Sequence, residues 1–136
     1  MNDGTLVKWA RHILAAQTQE LEKALSKHLR SSSDGEGLHK IRTRARRLRC
    51  ALEDLQHCTA DVPKFLAKVK RLGDKTSKAR DGQVLLHRLR HYRRIASRAE
   101  RLEIDRMLES YRKKSKDWNR VAIGAIRDFT APAELA

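Results

Sequence analysis

Residues 38 to 55, LHKIRTRARRLRCALEDL, carry two stripes when wound at helical spacing. Leu38, Ile41, Ala45, Leu48, Leu52 and Leu55 recur at steps of three and four and make one apolar face. His39, Arg42, Arg46 and Arg49 fall at i, i+3, i+7 and i+10 and make a cationic line beside it. Arg44 and Arg47 add charge on the remaining surface. The apolar face needs a protein core. The cationic line repels itself, since like charges three and four apart destabilise a free helix by a few tenths of a kcal/mol per pair. The stretch therefore predicts a helix packed on one side and offered to an anion on the other.

The same periodicity runs through the chain. Residues 5 to 30 predict a first helix, capped by Thr5, with Leu6, Ala10, Ile13, Leu14, Leu21, Leu25 and Leu29 on its apolar face. Residues 31 to 37, SSSDGEG, predict a mobile loop. Its glycines lack the spacing of a phosphate-cradling loop, and Asp34 and Glu36 would repel phosphate. A second helix is expected from 37 to 57. Asp61 then offers a cap, and Pro63 suits the first turn of a third helix from 63 to 94. Within it, Gly73 and Gly82 each cost about 1 kcal/mol relative to alanine, which predicts a kink or short break between them. Beyond Gly82 the apolar phase shifts to Leu85, Leu89, Tyr92 and Ala96. A last helix is expected from 100 to 129, with Ile104, Leu108, Tyr111, Trp118, Ala122, Ile126 and Phe129 in line. The tail, 130 to 136, is expected to fray. No segment alternates with period two. Four long amphipathic helices joined by short connections predict an all-α fold, a single-domain antiparallel four-helix bundle.

Charge narrows the partners. Lysine and arginine number 31 against 17 acidic residues, a net charge of +14, which points to a polyanion. Aromatic residues make up only 4%, too few for base stacking to be a main binding mode. RNA or DNA held through its backbone stays open as an alternative, as does a scaffold role on an acidic protein partner. A second basic ridge, Lys64, Lys68, Arg71, Lys75 and Lys78, lies on the third helix, and a third, Arg94, Arg98, Arg101, Arg112 and Lys116, reaches into the last. Arginine forks suit bidentate oxygen contacts, while lysines act as point charges.

Several classes are set aside. Cys50 and Cys58 on one helix would stand roughly 12 Å apart along its axis, too far for a disulfide, so a reducing, cytoplasmic setting is expected. No apolar run approaches the roughly 18 residues of a membrane span, and the first residues lack the pattern of a signal peptide. Neither Cys50, His57 and Cys58 nor His87 and His91 complete a recognisable ligand set, so no metal or cofactor is expected. There is no G-x-S-x-G elbow, H-E-x-x-H pair or Walker loop, and a non-catalytic protein is expected.

The run His39-Lys-Ile-Arg42-Thr-Arg-Ala-Arg46-Arg47-Leu-Arg49 resembles the signature of the CHAD family, the conserved-histidine α-helical domain, whose pattern is close to H-x-x-R-x-x-x-R-R-x-R. Leu72-Gly73, followed by Ala79-Arg80-Asp81 and Val84, is similar to the family's L-G-x-x-x-x-x-R-D-x-D-V element. Gln83 stands where that element has its second acidic residue, and Gly82 where it usually has an aliphatic one. The resemblance implies an all-helical fold and binding of inorganic polyphosphate on a basic surface, through His39, Arg42, Arg46, Arg47 and Arg49. Lys68, Arg71, Lys75 and Lys78 are expected as a second bank of charge. Arg80 and Asp81 are expected to pair with each other and position the third helix. Family members usually have two four-helix halves enclosing a basic channel. This chain resembles one half, so a homodimer restoring two is expected, and a monomer in sedimentation at tens of micromolar would remove that expectation. A cytoplasmic location in association with polyphosphate granules follows from the same resemblance.

Overall fold

Each apolar stripe becomes a helix in the computed structural model, which describes residues 3–31, 35–58 and 60–132. The helices are α1 (Asp3–Arg30), α2 (Gly35–Asp54), α3 (Val62–Ile95) and α4 (Arg98–Asp128). The expected α1 cap, Thr5, is instead inside the helix, which already runs from Asp3. The second helix ends at Asp54, and Leu55 to Cys58 form a turn closed by the Cys58 N–H donating to the Leu55 carbonyl at 3.0 Å. Cys50 and Cys58 are both free thiols. The centre of the expected 31–37 loop lies outside the described residues.

The helices pack in chain order. α1 lies on α2, α2 on α3 and α3 on α4, while α1 and α4 barely meet. The bundle is therefore a bent row with α2 and α3 in the middle. One core joins all four: Leu14, Leu21 and Leu25 of α1, Ile41, Leu48 and Leu52 of α2, Phe65, Val69 and Leu72 of α3, and Ala122 and Ile126 of α4. Burying each large side chain contributes about 1.5–3 kcal/mol. Two threonines join this core because their hydroxyls are satisfied locally. Thr18 Oγ1 donates to the Leu14 carbonyl at 2.7 Å, and Thr76 Oγ1 to that of Leu72 at 2.8 Å.

α3 and α4, at 34 and 31 residues, outrun the 20-residue α2. Their far ends form a two-helix arm around a second cluster of Leu86, Leu89 and Leu108. The turn at the arm's tip is sharp because α4 begins with a capping box. Ser97 Oγ accepts from the Glu100 N–H at 3.3 Å, and Glu100 Oε2 accepts from the Ser97 N–H at 2.9 Å. Arg93 clamps the same end by donating to both oxygens of Asp105, at 2.6 and 3.2 Å. This bond holds the Asp105 carboxyl below the usual carboxylate range.

Of the kink or short break expected between Gly73 and Gly82, the break does not occur: α3 is helical throughout. Tertiary packing outweighs the propensity cost of two glycines. At Gly82 the missing side chain is the reason for the packing: a Cβ there would stand 2.8 Å from Cε3 of the Trp118 ring. At Gly73 a Cβ would meet nothing within 4 Å. The two sites therefore predict opposite outcomes. Gly82→Ala is expected to cost about 1–3 kcal/mol, because a packed indole must shift. Gly73→Ala is expected to gain up to about 1 kcal/mol from helix propensity. Chemical denaturation of the two variants checks both signs.

Phe129, expected on the apolar line of the last helix, packs on the core just past the end of α4, its ring centroid 6.0 Å from that of Phe65, and Ala131 packs there too. Residues 133–136 lie outside the described part.

Candidate functional site

The cationic line of α2 borders a groove between α2 and α3 of about 580 Å³. On the α2 side, His39, Arg42, Arg46 and Arg49 come together with Thr43, Cys50 and Glu53. On the α3 side the wall is Lys70, Gly73, Asp74 and Ser77. Helical geometry explains the α2 wall. The buried stripe Leu38, Ile41, Ala45, Leu48 and Leu52 faces the core, and residues one position further on point along the flank that meets α3.

The groove carries its own carboxylates. Arg49 Nε donates to Glu53 Oε1 at 2.9 Å, and Lys70 Nζ stands 3.8 Å from the same oxygen across the groove. The hydrogen bond from Arg49, aided by the charge of Lys70, holds the Glu53 carboxyl below its usual range and raises the Arg49 guanidinium in turn. Because the Glu53 pKa is depressed, the pairing is present at neutral pH and is lost as pH falls through that lowered value. Arg42 Nη1 lies 3.5 Å from Asp81 Oδ1. Arg46 is exposed and has no carboxylate within ion-pair distance among the described residues.

Asp81, expected from the sequence to pair with Arg80, stands at ion-pair distance from Arg42 on the neighbouring helix. Side chains one apart on a helix diverge and do not face each other. Asp81 still helps to set α3 against α2, through a residue of the signature itself.

The other expected site residues divide among different faces. Arg47 points to the opposite flank of α2, into a groove against α1 with Lys23, Lys27, Lys40 and Arg44. His39 borders both grooves. Lys68, Arg71 and Lys75 lie on the far flank of α3, in a groove shared with α4. Lys78 is exposed and lines neither the α2/α3 nor the α3/α4 groove. The buried stripe Val69, Leu72, Thr76 and Ala79 separates this bank from Lys70, Asp74 and Ser77.

Lys70, Asp74, Ser77 and Glu53 are groove residues that the sequence reading passed over. The signal was present, since Lys70, Asp74 and Ser77 fall at i, i+4 and i+7 on α3. What decides between the two flanks of α3 is which neighbour lies on which side, and periodicity does not carry that. Among the described residues, no group of three or more His, Cys, Asp or Glu could hold a metal ion. No helix among them is long and apolar enough to cross a membrane.

A family model described as CHAD domain matches residues 12–134, most of the chain. No match was found among curated proteins or among solved structures.

Proposed function

The chain belongs to the CHAD domain family, and from that premise we propose that it is a non-catalytic module binding inorganic polyphosphate in the α2/α3 groove. The observation that carries this reading is the convergence of His39, Arg42, Arg46, Arg49 and Lys70 on one open groove. From Arg42 to Arg49 the helix rises about 10 Å, so three forked donors stand in file for a linear anion. Arg46 engages first, as the arginine of the three without a carboxylate partner. The ligand then displaces Asp81 from Arg42 and Glu53 from Arg49 and Lys70. Exposed pairs of this kind are screened by solvent and contribute little, so the exchange is inexpensive. His39 adds a ring N–H donor at the groove's end. Affinity comes largely from counterion release and falls steeply with salt. Residence with cytoplasmic polyphosphate granules belongs to the same reading.

Competition tests it. Polyphosphate and RNA of matched charge are set against a labelled polyphosphate probe at one salt concentration. Polyphosphate is expected to win, because the groove offers guanidinium forks and no Phe, Tyr or Trp side chain to stack a base. RNA winning by about tenfold or more would overturn the proposal in favour of a nucleic-acid role. A variant sharpens it: Glu53→Gln releases Arg49 and Lys70 and is expected to tighten polyphosphate binding about two- to fivefold, read by titration at fixed salt.

A further inference from the structure

The α3/α4 groove is chemically unlike the one assigned above. Its volume is about 460 Å³. Lys68, Arg71 and Lys75 stand along one rim, and Asp128 is the one carboxylate among its lining residues. None of the four takes part in an ion pair among the described residues. The floor and opposite wall are apolar: Leu72, Ala125, Phe129 and Val121. Val121 is 47% exposed, while the other exposed large apolar residues of α4, Leu102 and Met107, lie toward its opposite end. Gly124 widens the space, since a Cβ there would meet nothing within 4 Å.

A phosphate chain has no apolar part to offer this floor. We infer that the α3/α4 groove docks an acidic amphipathic helix of a protein partner, its apolar stripe on Val121, Ala125 and Phe129 and its carboxylates against Lys68, Arg71 and Lys75. Charge complementarity selects this occupant. A second copy of so basic a chain would bring lysine and arginine against lysine and arginine, at a cost. The rim cations, Lys68 to Lys75, extend about 10 Å, which matches about two turns of a bound helix read through i, i+3 or i+4, and i+7 anchors. The site lies on the flank of α3 away from Arg42, Arg46 and Arg49, so both ligands fit at once. The inference does not rest on the polyphosphate reading.

The probe is a labelled helical peptide of about three turns, with leucines at i, i+3, i+4 and i+7 and glutamates flanking them. Its control is a scrambled peptide of the same composition without an apolar face. Fluorescence anisotropy on the full chain is expected to show the amphipathic peptide binding at least about tenfold more tightly than the control. Gly124→Phe, which plugs the groove without changing charge, is expected to weaken the amphipathic peptide about fivefold or more and leave polyphosphate affinity unchanged. Neutralising Lys68, Arg71 and Lys75 to glutamine is expected to weaken it about tenfold, with the circular dichroism signal kept. Equal binding of the scrambled peptide would reduce the effect to charge alone and overturn the inference. So would full displacement of the peptide by short polyphosphate, which would return the rim to the phosphate site. Loss of binding to phosphatidylglycerol vesicles in Gly124→Phe, with no effect on the peptide, would assign the groove to a membrane surface instead.

Discussion

Replacing Arg42, Arg46 and Arg49 together by glutamate is expected to weaken polyphosphate binding by more than about a hundredfold. Each position loses a donor fork and gains a repelling carboxylate in a groove that already holds Glu53 and Asp74. The three side chains lie off the buried stripe of α2, so the helical circular dichroism signal is expected to persist. The control is a variant with Arg98, Arg106 and Lys113 of α4 reversed. These are exposed, and the variant has the same net charge. It is expected to lose far less affinity. Equal losses in the two variants would mean that polyphosphate responds to overall charge, and the groove would lose its special standing.

The largest stability effect is expected at Phe65. Its side chain is 1% exposed, sits in the core shared by all four helices, and faces the Phe129 ring. Phe65→Ala removes the transfer energy of the ring and leaves a cavity beneath the end of α4, at an expected cost of about 3–5 kcal/mol. Urea denaturation followed by circular dichroism reads it directly. The tail gives a second readout. Phe129 and Ala131 pack on that core, so proteolysis near residue 130 is expected to quicken in the variant, where a merely global loss would speed cleavage everywhere.

Most of the architecture was legible in the residues. The apolar stripe from Leu38 to Leu52 is buried along its whole length, and the four predicted helices form in the predicted order. Propensity suggested a kink or short break between Gly73 and Gly82; no break occurs, and Gly82 is the point at which Trp118 closes on α3. A one-dimensional reading has no term for a ring approaching from 36 residues away. The site was legible only as far as a single helix carries it. His39, Arg42, Arg46 and Arg49 share a flank by periodicity alone, and the structure keeps them together. The lysines of α3 were harder, because both flanks of that helix are cationic. Lys70 faces α2 and Lys68 faces α4, two residues apart in the chain and on opposite sides of a buried stripe. The contact of Asp81 with Arg42 was likewise not legible, since it is set by the height at which α2 crosses α3.

The near absence of contact between α1 and α4 bears on how this chain reaches its native state. Each helix meets chiefly the one before and the one after it in sequence, so most contacts close hairpins between neighbouring helices, and few, such as Phe65 with Phe129, join more distant parts of the chain. Loop closure entropy stays small, and refolding belongs with the microsecond-to-millisecond class of low contact-order proteins. The central pair is expected to form first, with the outer helices adding from either side, so core truncations in α2 and α3 are expected to slow refolding more than those in α1.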